Sequence, residues 1–177
     1  MTDSTIHFHY YPRTKKPPEI AFELVGAFRK HEESIATRDL DDGLKSDEVL
    51  TTVRESLFDL GFQVETGKRH SDKIHRPVLF GEDGEPDLSY EVDAYHPDTR
   101  LGLEVEAGRA WKGNAIYRDI VQALMMVQVD TLALAVPNVY KYSSGSNPAF
   151  EKTNAVVETL YDTNRYEPPY DMLVIGY

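Results

Sequence analysis

The sequence predicts an α/β fold: an αβββαβ core with a mixed central sheet and helices on both of its faces, preceded by a strand and a helix and followed by a further helix and strand. Three observations carry this expectation. Residues 46–60 repeat apolar side chains at helical spacing, and residues 88–107 alternate across an HPDTR turn. TLALAVP at 131–137 is apolar without alternation, as in a strand covered on both faces.

A chain of 177 residues is long enough for one such domain with a sizeable core and short for two. We therefore read 1–177 as a single domain, with 1–45 as an N-terminal addition, 46–137 as the core and 138–177 as a C-terminal helix and strand. The 41% hydrophobic and 11% aromatic content is that of a chain with enough apolar surface to offset its ordering entropy.

In chain order, TIHFHYY at 5–11 alternates and is rich in β formers, so it predicts a short strand. Pro17 and Pro18 then open a helix to about Ile35, with Ile20, Leu24, Ala27, Phe28 and Ile35 near one face. The acidic RDLDDGLK reads as a loop. From Ser46, a good N-cap, Val49, Leu50, Val53, Leu57 and Leu60 recur at helical spacing until Gly61 ends the helix. FQV at 62–64 is a strand, 67–76 a loop or ragged strand end, and GEDGEP at 81–86 a turn. LSYEVDAYH and LGLEVEA form an antiparallel hairpin. A glycine-bearing loop at 108–113 leads to a helix marked by Ile116, Ile120, Leu124 and Val127, and then to the buried strand TLALAVP. SSGSNP is a flexible connection, 149–161 a helix and DMLVIGY the closing strand.

Composition limits the chemistry. With no cysteine, disulfides and thiolate zinc sites are excluded, and oxygen ligands favour Mg²⁺ or Mn²⁺. SSGSNP lacks the lysine and glycine spacing of a phosphate-binding loop. No run of about 18 apolar residues appears and MTDSTIHFHYYPR is not a secretory signal, which points to a cytoplasmic protein without a membrane partner. The net charge of −11 argues against non-specific nucleic-acid binding, because cationic side chains supply much of that affinity. Charge is uneven, however: YPRTKKPP and KRHSDKIHR are basic, whereas 39–48 and 82–106 are acidic.

Alternation along a strand puts Glu104 and Glu106 on one face, about 6.6 Å apart, opposite Leu101, Leu103 and Val105. Neighbouring carboxylates raise one another's pKa unless a cation intervenes, and a divalent metal would supply that charge. Asp93, at the end of the preceding strand, faces the same region across the hairpin. Asp87 is its rival for the first acid, since Pro86-Asp87 carries a literal PD dipeptide, but the interval from Asp93 to Glu104 better suits a short hairpin.

EVDAY, an interval of eleven positions from Asp93 to Glu104, and then LEVEAGRA resemble the motif of the PD-(D/E)XK nuclease superfamily, the restriction endonuclease-like class. The resemblance extends over roughly 46–137, including the element order. It implies a Mg²⁺- or Mn²⁺-dependent endonuclease acting on DNA, possible RNA included, as a homodimer or within a larger defence or repair assembly. Asp93 and Glu104 would be metal ligands, and Glu106 would stand where the family usually has lysine, making this an E-x-E variant. Glu106 would then orient or deprotonate a water or hold a second metal. Glu48 matches the place of an additional acidic ligand in several family members, although an acid there also favours the helix dipole without any metal. Arg109 or Lys112 would stabilise developing phosphorane charge in place of the lysine. By its charge, KRHSDKIHR, with Lys68 and Arg69, either meets nucleic-acid phosphates or is a solvated loop.

Several residues keep plainer readings beside these. His7 and His9 share a strand face, but no third ligand accompanies them, which favours a surface strand. Trp111 either stacks on a base or covers a helix start. Tyr117, Arg118, Asp119 and Gln122, near the start of the following helix, either face the metal site or form a solvated face. The alternative function is a catalytically inactive nuclease-like scaffold that binds protein partners through its acidic surface.

Overall fold

The computed structural model describes residues 4–37, 43–163 and 165–177, with the side chains of Arg109 and Lys112 outside that description. In chain order the elements are β1 (His7–Tyr11), α1 (Glu19–Lys30), α2 (Glu32–Ile35), α3 (Ser46–Asp59), β2 (Gln63–Val64), β3 (Ile74–Phe80), β4 (Pro86–Val92), β5 (Ala94–His96) and β6 (Leu101–Val105). There follow α4 (Arg109–Lys112), α5 (Ala115–Met125), β7 (Thr131–Val136), β8 (Tyr140–Tyr142), β9 (Gly145–Asn147), α6 (Ala149–Asp162) and β10 (Asp171–Gly176).

Six strands form one mixed sheet in the order β1-β10-β7-β6-β5-β2. Its centre is parallel, β10 with β7 and β7 with β6, and both flanks are antiparallel. Alternation divides the side chains of the central strands between two cores. Leu101, Leu103, Val105, Ala133, Ala135, Leu173 and Ile175 pack beneath Leu24, Phe28, Val49, Val53 and Leu57 of α1 and α3. Leu132, Leu134, Val136, Met172 and Val174 pack on the other face against Ile116, Ile120 and Ala123 of α5 and Val157 of α6. The expected αβββαβ order is α3-β2-β5-β6-α5-β7, with helices on both faces.

The structure departs from the sequence expectation where side chains or tertiary contacts override local pattern. The first helix is two helices, broken at His31, whose φ of −109° is not helical. Lys45, not Ser46, is the N-cap of α3, because the Glu48 carboxylate accepts the Lys45 amide at 2.8 Å. Gly61 does end that helix: its φ of +93° is the left-handed conformation that a helix stop requires. The loop at 108–113 contains the short helix α4, α5 stops at Met125 before the exposed Val127, and SSGSNP joins the β8–β9 hairpin. Of the acidic loop RDLDDGLK, residues 38–42 lie outside the described residues.

The largest difference concerns 74–96. LSYEVDAYH is not one strand: β4 pairs with β3 in a separate two-stranded arm, and β5 pairs with β6 in the central sheet. Asp93 is the residue between them. Beyond the Ala94–Leu103 pair, the Val105 amide is met not by a backbone carbonyl but by Asp93 Oδ2, at 2.7 Å. A carboxylate that replaces a ladder acceptor lets the chain leave the sheet without orphaning a buried donor.

Candidate active site

Antiparallel pairing brings three chain segments to one end of the sheet: the exit of β2, the start of β5 and the end of β6. Glu65 follows β2, and its amide donates to the Asp93 carbonyl at 2.9 Å. Asp93 immediately precedes β5, and Glu104 and the Val105 amide stand at the end of β6. Glu65, Asp93 and Glu104 therefore line one cavity of about 450 Å³, closed on one side by Ser89, Tyr90 and Glu91 of the arm and on another by Arg118 and Gln122 of α5. Lys73, at the base of the arm, also lines it.

Glu104 is only 8% exposed, and burial, reinforced by the charge of Asp93, holds its carboxyl well above the usual range. Burial pushes Asp93 up to about 7, against the stabilising Val105 amide. Glu106 is pushed up to about 8, first by burial and then by Asp119. Asp119, on α5 and 2% exposed, is raised by burial and held down in part by Arg118; its Oδ2 is buried without a hydrogen-bond partner. Arg118 bridges the two, 3.1 Å from Glu106 Oε1 and 2.8 Å from Asp119 Oδ1. The cluster is short of positive charge, and its oxygens are of the hard type that Mg²⁺ or Mn²⁺ takes. The donor chemistry thus fits a divalent cation, although among the described residues no three His, Asp or Glu groups stand close enough together to hold one.

The proposed residues separate accordingly. Asp93 and Glu104 share the cavity, whereas Glu106 is not part of its lining and is turned to Arg118. Asp87 is at the far end of the arm beside Gly81, and Glu48 is exposed and occupied by the Lys45 amide. Neither lines the cavity. Lys68 and Arg69 are exposed, with Lys68 3.7 Å from Asp47. The Arg109 and Lys112 side chains lie outside the described residues. Arg118, Asp119 and Gln122 do face the carboxylates; Tyr117 instead meets Trp111 edge-on, and the Trp111 indole donates to the Ala149 carbonyl at 3.3 Å. His9 stacks on Tyr11 on β1. Glu65 and Lys73 were hidden in the sequence because nothing local marks them: one follows a two-residue strand and the other precedes the arm.

A mixed six-stranded sheet, helices on both faces and carboxylates at the end of a β-meander define a restriction endonuclease-like fold. The structure is similar to that of restriction endonuclease BglII complexed with a DNA 16-mer, with a TM-score of 0.55 and 10% identity over 97% of this chain and 75% of that chain. It is similar also to free BglII, with a TM-score of 0.50 and 12% identity over 97% of this chain and 78% of that chain. At these identities the likeness is one of fold. No family model matches the chain, and no curated protein matches it in sequence. Among the described residues, no helix is long and apolar enough to cross a membrane.

Proposed function

We propose that this protein is a cytoplasmic, Mg²⁺- or Mn²⁺-dependent endonuclease of the restriction endonuclease-like class, an E-x-E variant of the PD-(D/E)XK pattern that hydrolyses phosphodiester bonds in DNA. The observation that carries this is the shared cavity of the half-buried Asp93 and the buried Glu104, both of raised proton affinity, on a fold similar to that of a restriction endonuclease. Residues 46–137 form the nuclease core, and 1–45 and 138–177 complete its sheet through β1 and β10. Lys68 and Arg69 meet the DNA backbone, and the chain acts as a homodimer or within a larger defence or repair assembly.

Asp93 and Glu104 would hold the ion, which when bound supplies Lewis acidity toward the phosphate and an acidified water. The chain's own residues do the rest. The Val105 amide keeps Asp93 oriented. Glu106, two residues beyond Glu104 but outside the cavity lining, acts through Arg118, which it holds at the cavity wall. Arg118 holds Glu106 against α5. In the overall step the water oxygen bonds to phosphorus, one phosphorus–oxygen bond to a flanking sugar breaks, and the leaving oxygen takes up a proton. One water is consumed per phosphomonoester and hydroxyl formed.

Cleavage of supercoiled plasmid and of duplex and single-stranded DNA and RNA oligonucleotides with Mg²⁺ or Mn²⁺ tests this. Metal-dependent nicking that Glu104→Gln and Asp93→Asn abolish is the expected result. Undiminished cleavage by either variant sinks the site assignment. A second function, a non-catalytic scaffold for protein partners, is favoured by the net charge of −11 and by the glutamate that stands at the motif's lysine position. It predicts no cleavage of any nucleic acid, and no calorimetric Mg²⁺ or Mn²⁺ binding that depends on Glu104.

A further inference from the structure

The cavity has a charge problem that a phosphodiester would sharpen. Four carboxylates, Glu65, Glu91, Asp93 and Glu104, line it against two cations, Lys73 and Arg118. Arg118 is already committed, with one terminal nitrogen on Glu106 and Asp119 and its Nε 2.9 Å from Asp119 Oδ1. Lys73 is not. Its ammonium meets Glu65 Oε2 at 2.5 Å, the one hydrogen bond it makes among the described residues, and an ammonium has three donors. The side chains remain 20% and 12% exposed, so the pair sits at the cavity wall and still reaches solvent.

The place of this pair is fixed from both sides. Glu65 leaves β2 with its amide on the Asp93 carbonyl, which ties it to the first acid of the proposed site. Lys73 immediately precedes β3, whose Ile74 pairs with Val92 next to Asp93. An ammonium is thus held in the cavity that Asp93 and Glu104 line, although the E-x-E strand itself carries no lysine.

We propose that Lys73 is a catalytic residue, its ammonium donating to a non-bridging oxygen of the scissile phosphodiester, with Glu65 as the residue that positions it. This rests on the nuclease function proposed above. Lys73 transfers no proton; it offsets the charge that builds on the phosphoryl oxygens as the water attacks. Its role is the one the sequence assigned to Arg109 or Lys112, supplied instead from the base of the arm.

A merely structural ion pair and a catalytic lysine make different predictions, because Glu65→Gln and Lys73→Met break the same pair but only the second removes the cation. Plasmid nicking with Mn²⁺ and salt-dependent duplex binding without any divalent ion are measured for both variants and for Lys73→Arg, with Tm recorded for each. We expect Lys73→Met to lower kcat about 100-fold or more, Glu65→Gln less than about 10-fold, and Lys73→Arg to fall between them. The slope of log affinity against log salt should become shallower by about one in Lys73→Met and not in Glu65→Gln. Equal losses in Lys73→Met and Glu65→Gln, or kcat within about threefold of wild type in Lys73→Met, overturn the proposal while leaving the nuclease function standing. A wild-type chain that cleaves nothing refutes that function and catalysis by Lys73 with it. The salt slope then decides the phosphate contact alone: a drop of about one supports it and an unchanged slope overturns it.

Discussion

Asp93 Oδ2 accepts the Val105 amide at 2.7 Å, which binds the first acid of the site to the strand residue lying between Glu104 and Glu106. The same contact closes the sheet where the chain departs for the arm, so Asp93 serves the fold as well as the proposed site. Its two substitutions should therefore differ. Asp93→Asn keeps an oxygen for the amide and should stay within about 1 kcal/mol of wild type, whereas Asp93→Ala leaves a buried donor unmet and should lose about 1–3 kcal/mol. Urea unfolding in EDTA at pH 8 measures this; equal stability of the two variants would show that the bond is dispensable.

Stability should fall as pH rises. Burial lifts Asp93 from 3.8 to about 7 and Glu106 from 4.5 to about 8. Between the unfolded and folded values the folded chain binds protons that the unfolded chain releases, so this contribution is fully present below about pH 4 and is lost as pH passes 7 and then 8. Protonating one carboxyl relieves its neighbours, so the shifts do not add, and the cluster should contribute on the order of 3 kcal/mol. Roughly half of that is lost between pH 5.5 and pH 8, so Tm in metal-free buffer should be about 5 °C lower at pH 8 than at pH 5.5. A Tm that rises over this interval contradicts the burial of ionised carboxylates.

Glu104 is only 8% exposed, and among the described residues it makes no ion pair. Glu104→Gln should accordingly raise metal-free stability at pH 8, by about 1–2 kcal/mol, while eliminating any gain in Tm from Mn²⁺. Calorimetry in two buffers of different ionisation enthalpy should show protons released when the wild type binds Mn²⁺. If Glu104→Gln is strongly destabilised without metal, Glu104 is a structural residue and not a strained functional one.

Arg118 holds the buried Asp119 and the half-buried Glu106 from a side chain that is itself 58% exposed. Removing it by Arg118→Ala strands Glu106 beside Asp119, and after allowance for solvent screening should cost about 1–2 kcal/mol. Asp119→Asn in the same chain should restore most of the loss. A double-mutant cycle with no coupling would show that the bridge has no energetic weight.

Much of this fold was legible because its core strands are extreme. TLALAVP predicted a strand covered on both faces, and every residue of β7 is buried. The alternation that set Leu103 and Val105 against Glu104 likewise separates apolar core from carboxylate cavity. The arm was not legible, since the pattern of LSYEVDAYH runs on through Asp93 and nothing in it marks the residue where pairing passes from β3 to β6. For the same reason the sequence offered Arg109 and Lys112, close in number to the E-x-E strand, while Lys73 reaches the cavity through a hairpin fold-back that only three-dimensional pairing reveals. Asp119 was visible as a candidate from its place near the start of α5. Its burial, and its contact with Glu106 through Arg118, were not.

The most direct measurement is an anomalous difference map from crystals of the full chain soaked in Mn²⁺ at pH 8. A manganese peak with both Asp93 and Glu104 in its coordination sphere, absent from Glu104→Gln crystals treated identically, is the predicted result. A cavity without a peak, or a peak held by other residues while Asp93 and Glu104 remain unliganded, would contradict the assignment of this site.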